Sequence, residues 1–409
     1  MDASRSLPEG PAGVRGLFGS PSLVLFLALF ASQSGILVLS PILSDVADDF
    51  GVSIATAGQL RILAAPLAAL VALAAGKALT RFSPRALLGV GTALLAVGSV
   101  ASAAAPTFAL LALAQVPMWG GIAILLAAGV AAAAAWSEPG RRTRVVAHAL
   151  AGPPAAWIVG MPVIGLVAEA HWRLAFLALP LPAALIAGLA VAGRPHDGPL
   201  AERGTSLRGL LRIPHARRWA FGELMANSAW AGTLVYSGAL LTDEYGLSTS
   251  ATGIALGGIA VAYLLANQRA GRMAAEGARR SMLACSVGAA VAVALNWGVT
   301  AGVAVTFVFF SLAAVMAATR TVSGTVYGFA VAGELGREVG VVRAVTTQLG
   351  YLIGSLVGGI AFALGGFAGL GVVFGALFVA STLPYVSVRF ARRPLVLHPA
   401  AAAAGSGSR

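Results

Sequence analysis

Glu223 is the only carboxylate inside a long apolar run of this chain. Asn227, Trp230 and Leu234 follow it at helical spacing, so the four side chains share one helix face. A carboxylate beside an amide and an indole can bind a cation or take up a proton. It can equally be a helix-end acid paired with Arg217 or Arg218. Arg320 lies well inside another apolar run, between Thr319 and Thr321. There it can bind an anion, pair with Glu223, or mark an early helix end. An ionisable side chain in such a run costs roughly 2.5–3.5 kcal/mol on insertion scales, so it usually faces a cavity or a partner. Gln33, between Ser32 and Ser34, sits mid-way along the first apolar run. Its amide can hydrogen-bond a bound molecule or a neighbouring helix. Trp119, Trp230 and Tyr327 are expected to form an aromatic wall suited to an amphiphile, or else to act as packing and interface anchors.

The elements that must position these groups are long apolar helices. The chain has 409 residues, 58% of them hydrophobic and 10% charged, with a mean hydropathy of +0.87. Ordinary soluble domains carry about 25% charge. A bilayer core needs about 20 apolar residues per helix, and twelve such runs use almost the whole length. We place them at Leu23–Leu43, Ala55–Ala75, Ala86–Ala104, Phe108–Trp136, Val145–Ala168 and Leu174–Ala192. After a polar gap come Trp219–Leu241, Ser250–Ala266, Met282–Val299, Val303–Gly333, Val345–Leu364 and Leu370–Val388. None shows the alternation of membrane strands, so the fold class is all-α and membrane-embedded. Met1 to Phe18 is polar and rich in Pro and Gly, and the first apolar run is of spanning length, so no cleaved signal is expected.

Charge fixes the expected orientation. The net charge of +12 would suggest nucleic acid in a soluble protein. Here it follows the positive-inside pattern instead, and no nucleic-acid partner is expected. Alternate gaps hold Lys77, Arg81 and Arg85; then Arg141, Arg142 and Arg144; then Arg269, Arg272, Arg279 and Arg280. The other gaps hold Asp45, Asp48, Asp49, Glu169, Asp243 and Glu244, and only Arg61 and Arg173 fall towards that side. Arg61 is expected to pair with Asp45, Asp48 or Asp49. Both termini are then cytoplasmic.

Two halves are visible as a repeat. A shift of 195 residues superposes Asp48 on Asp243, Gly51 on Gly246, Ser53 on Ser248 and Gly58 on Gly253. It continues without a gap to Gly76 on Gly271, Arg85 on Arg280 and Leu88 on Leu283. The expected organisation is a tail (1–21), a six-helix bundle (22–193), a linker (194–218), a second bundle (219–389) and a low-complexity tail (390–409). Leu207–Leu211 in the linker can form a short basic amphipathic helix. Gly350, Gly354 and Gly358 make a smooth stripe on the eleventh span where another backbone can approach.

These residues resemble the major facilitator superfamily, in particular its drug and sugar efflux (arabinose-efflux-permease-like) branch. The first span ends SPILSDVADDFGVSIATAGQL, similar to the family's passage from helix one to helix two. The next gap, GKALTRFSPRALL, resembles the Gly-x-x-x-Asp-Arg-x-Gly-Arg-Arg signature. Gly76, Arg81 and Arg85 match it, while Thr80 stands for the Asp and Ser83 for the second Gly. Gly160, Pro162 and Gly165, followed by His171, Trp172, Arg173 and Phe176, resemble the branch's fifth-span pattern. The fourth span offers Gln115 and Trp119 where proton-linked exporters carry an Arg. The resemblance implies two pseudo-symmetric six-helix bundles, with spans one, four, seven and ten lining a central cavity. It also implies a monomer exporting small organic molecules from a bacterium through its inner membrane by alternating access, with a proton gradient as partner and no cofactor. Glu223 is then the candidate proton carrier. Gln33, Trp119, Asn227, Trp230, Arg320 and Tyr327 are candidate substrate contacts, and the matched glycines, Pro162, Arg81 and Arg85 form gating motifs. Sugar or amino-acid transport in either direction, and a transport-inactive sensor or scaffold, are the alternatives. The histidines are scattered and no phosphate-binding loop is present, so an enzyme is not expected.

Overall fold

The computed structural model of the chain describes residues 20–386, apart from 80, 137–144, 146–147, 150, 196 and 200–206. Thr80, Arg141, Arg142, Arg144 and both tails lie outside the described residues, as do the Arg61 side chain and the surroundings of Gly76. All regular elements among the described residues are helices. They make twelve spans in two six-helix bundles.

Polar caps start several spans. Ser53, Ser83, Thr107 and Ser248 each accept a hydrogen bond from the backbone N–H three residues on. Such a cap contributes about 1 kcal/mol. The first span is Pro21–Leu37, shorter than its apolar run. Ser40-Pro41 turns the chain, since proline cannot donate to a helix interior, and Leu43–Phe50 follows as a separate helix. The second span is Ile54–Gly58 followed by Arg61–Ala78. The third to fifth are Pro84–Ala103, Phe108–Ala135 and Gly152–Ala168, and the sixth is Leu174–Ala178 joined to Pro180–Ala192. Leu207–Arg212 forms the expected linker helix. The seventh span is Pro214–Ala239, and the tenth is Val303–Ala332.

The largest departures from the sequence boundaries are in the second half. Spans eight and nine are one helical course, Thr249–Gly298, bent only at Gly277. Spans eleven and twelve form Gly336–Ala380, bent at Gly365 and Gly366. Gly366 has φ 57°, a left-handed conformation that favours glycine. Span eleven therefore begins more than two turns before its apolar run.

The repeat has a structural basis. Gly51 and Gly246 both end a helical turn at positive φ, 61° and 64°. Phe108 and Val303, again 195 apart, open spans four and ten. Arg85, at the start of span three, donates to the Val191 and Ala192 carbonyls at the end of span six (3.2 and 2.8 Å). Arg279 does the same for the Tyr385 carbonyl beyond span twelve, at 2.9 Å. Both satisfy carbonyls that a helix C-terminus leaves open. The structural counterpart of Arg85 is thus Arg279, one residue before the Arg280 of the sequence register.

One end of the molecule is rich in arginine and the other in acids, and we name them the basic and acidic ends. The perimeter between is apolar. Leu364 is 85% exposed, Leu189 72% and Val372 71%, a surface suited to lipid rather than water. Among the described residues, seven helices are long and apolar enough to cross a membrane, and spans one and five are shorter apolar helices. The chain is a multi-pass membrane protein.

Candidate functional site

The two candidate ions meet. Arg320 Nη1 donates to Glu223 Oε1 at 2.6 Å, and Arg320 Nη2 to the Gly222 carbonyl at 2.9 Å. Glu223 is fully buried and Arg320 is 2% exposed. A third ion completes the group: Arg343 Nη1 donates to Glu223 Oε2 at 3.1 Å and to the Thr321 carbonyl at 3.4 Å. Glu223 therefore sits within its bundle, about 13 Å from the basic end of span seven by helical rise, rather than pairing with Arg217 or Arg218 at the helix end. Two guanidiniums face one carboxylate, which leaves a net positive charge inside the second bundle. Arg320 Nε is buried without a hydrogen-bond partner.

Glycines let the helices carrying these ions approach. A Cβ on Gly324 of span ten would strike the Glu223 carboxylate, and one on Gly328 would strike the Trp219 ring. Trp219 Nε1 donates to the Gly324 carbonyl at 2.7 Å, fixing span seven against span ten. The Gly350, Gly354 and Gly358 stripe meets span seven at Asn227, at Ser228 with Gly232, and at Tyr236. Arg343 lies seven residues before Gly350 and extends that same face by two turns. This spacing was the sequence signal for Arg343, hidden because the polar stretch Gly336–Ala344 reads as a connector.

Beside the ions, aromatic rings bridge the halves. Trp157 of span five stacks on Tyr263 of span eight, with centroids 5.9 Å apart. Tyr263 stacks on Trp230 of span seven at 5.8 Å and 19°, and Trp230 meets Phe310 edge-on at 6.2 Å. Tyr263 also lies within the electrostatic reach of Glu223, Arg320 and Arg343. Trp157 and Tyr263 were not foreseen.

The other candidates spread around this centre. Asn227 donates to Thr346 at 3.2 Å. Trp119 is fully buried and meets Tyr351 of span eleven edge-on at 5.5 Å, a second contact between the halves. Gln348, on the Tyr351 face one turn away, is buried with neither amide atom hydrogen-bonded. Gln33 is half-buried on span one. Tyr327 stands apart, against Tyr385 and in the smaller core around Trp219 nearer the basic end. The three expected aromatics therefore do not form one wall. Arg81 is exposed at the basic end.

At the acidic end the halves are joined. Ser44 and Thr242 share a hydrogen bond of 2.9 Å, Thr249 donates to Asp45 Oδ2 at 3.0 Å, and the Ser250 N–H donates to Glu169 at 2.8 Å. Gly165 of span five lies against Gly253 of span eight, and Pro162 against Gly257. Gly160 instead accommodates Leu179. Asp49 is bound by Arg173 at 2.8 Å, whose guanidinium stacks 4.4 Å over Trp172. Trp172 in turn packs on Phe50 and Phe176, so the His-Trp-Arg segment clamps the corner after span one. Burial, more than the neighbouring acids Asp48, Glu169 and Asp243, raises the Asp45 pKa above the usual carboxylate value.

A family model described as Major Facilitator Superfamily matches residues 25–262. No curated protein matches the sequence. Among solved structures, a bacterial homolog to the human lysosomal transporter Spinster, inward-facing and occupied, aligns with a TM-score of 0.74 at 15% identity, covering 89% of this chain and 94% of that one. A D-xylose–proton symporter aligns with a TM-score of 0.71 at 15% identity, covering 90% and 97%. Both likenesses are of fold.

Proposed function

This chain belongs to the major facilitator superfamily, whose members are transporters and not enzymes, and we propose that it exports small organic molecules across the bacterial inner membrane by alternating access, driven by the proton gradient. The observation that carries the reading is the placement of the buried ions. Glu223, Arg320 and Arg343 lie beside a ring stack that joins the two halves, while the acidic ends of the halves are hydrogen-bonded shut. The positive-inside pattern puts the basic end, and both termini, in the cytosol. A site nearer that end is in the loading position of an exporter. Export follows the likeness of Gly160 to Phe176 to the efflux branch. Trp230, Asn227, Gln33 and Trp119 contact the substrate, Arg320 holds Glu223 in place, and Glu223 exchanges the proton.

A second reading, entry of a metabolite together with protons, is favoured by the shared arginine. A proton on Glu223 frees Arg343 for a ligand rather than blocking it. Cellular accumulation of a fluorescent amphiphile, with and without an uncoupler, separates the two. Export predicts that the uncoupler raises accumulation in the wild type and has no effect in Glu223→Gln at matched membrane levels. Co-transport predicts that the uncoupler lowers it. Undiminished active export by Glu223→Gln removes Glu223 from the mechanism.

A further inference from the structure

The ionic group at the centre of the second bundle is unbalanced, and the imbalance points to a ligand. Arg320 is the buried structural partner of Glu223: it spends one nitrogen on the carboxylate and another on the Gly222 carbonyl. Arg343 is held more loosely. Its side chain is 23% exposed, and among the described residues only Nη1 donates, to Glu223 and to the Thr321 carbonyl. Nη2 and Nε donate to no described residue, and Arg343 lies within electrostatic reach of Tyr263, the middle ring of the Trp157–Tyr263–Trp230 stack. A cation without a full counter-charge inside a bundle is costly, and a fork of two N–H donors matches a carboxylate. The stacked rings in the electrostatic reach of Arg343 offer an apolar surface.

Resting on the transport reading above, we propose that the substrate is an organic anion with an aromatic or otherwise apolar body. Its carboxylate, or a similar acid group, lies on Nη2 and Nε of Arg343, and its body lies against Trp230 and Tyr263. Arg320 holds Glu223 in place and does not itself carry the anion. The ligand neutralises the positive charge that the two arginines leave over.

The test uses purified full-length protein in detergent with 1-naphthoate and, as the neutral isostere, 1-naphthamide. Binding is followed by quenching of tryptophan fluorescence. Naphthoate is expected to bind at least about tenfold more tightly than naphthamide, and Arg343→Gln to remove that preference. Arg343→Lys keeps the charge and loses the fork, so it should retain part of it; its ligand-free melting point shows whether the fold survives. Equal affinity for acid and amide, or an undiminished preference in a folded Arg343→Gln, overturns the proposal. An anionic phospholipid is a further competitor: displacement of naphthoate by it, without uptake of naphthoate in proteoliposomes, assigns the site to lipid and overturns the substrate claim. Active movement of a neutral compound with no acid preference sinks the anion inference and leaves transport standing. Acid-selective binding without movement of any compound does the reverse.

Discussion

Removing Glu223 should harm the protein more than removing Glu223 and Arg343 together. In the wild type two guanidiniums share one fully buried carboxylate. Glu223→Gln leaves both cations facing each other with no anion. Breaking a buried pair from one side costs about 3–5 kcal/mol. Arg343→Gln leaves the Arg320–Glu223 pair intact and removes a partly exposed partner, at a cost of about 1–2 kcal/mol. If the two sites were independent, the double variant would lose the sum. The geometry predicts otherwise, because the double variant has one cation where Glu223→Gln has two. Its loss should not exceed that of Glu223→Gln, a coupling of about 1–3 kcal/mol. Cys285 makes the assay simple, being buried and the only cysteine. A thiol-reactive fluorophore reports unfolding of detergent-solubilised protein as that thiol becomes exposed. The expected order of stability is wild type, Arg343→Gln, the double variant, then Glu223→Gln. Losses that add within about 0.5 kcal/mol would refute a shared carboxylate.

Three further outcomes follow from the geometry. Gly324→Ala places a methyl group on the Glu223 carboxylate, so it should destabilise by about 1–3 kcal/mol and weaken acid-selective ligand binding, read by the same two assays. Gly253→Val puts a branched side chain against the Gly165 backbone and should part the halves at the acidic end; a cysteine at Ser44 in a Cys285→Ser background should then label faster with an impermeant reagent, and an unchanged rate would contradict the packing. Because Asp45 has a raised pKa in the closed state, closure is favoured while it is protonated and weakens as pH rises above its ordinary value through the raised one. Labelling at Ser44 should accelerate over that window in wild-type Asp45 and lose that pH response in Asp45→Asn.

The sequence made the membrane class and the twelve helices legible because lipid imposes long apolar runs. It showed the duplication through residues with local duties: Gly51 and Gly246 at positive φ, Ser53 and Ser248 as caps. The meeting of Glu223 with Arg320 was one of several open pairings, since a burial penalty demands a partner without naming it. Arg343 was hidden by the same averaging that found the spans. Gly336–Ala344 is too polar to score as membrane, yet it continues the helix, and only the Gly350 spacing betrays its face. Tyr263 and Trp157 could not be distinguished from packing residues, because a ring stack between two halves depends on how the halves dock. Tyr327 shows the converse: it has the right residue type on the right span, but at a depth that places it in a different core.

The ions and the closing surfaces belong to different parts of the molecule. Glu223, Arg320 and Arg343 all come from the second half, and at the 195-residue offset the first half presents Ala28 and Leu125 in place of Glu223 and Arg320, both fully buried. The halves touch through glycines, rings and a few hydroxyls, with two carboxylates at the watery rim, Asp45 on the Thr249 hydroxyl and Glu169 on the Ser250 backbone N–H. Among the described residues, parting the halves would therefore separate no ion pair. The buried ions of this group are confined to one half, and the seam between the halves carries no ion pair among the described residues.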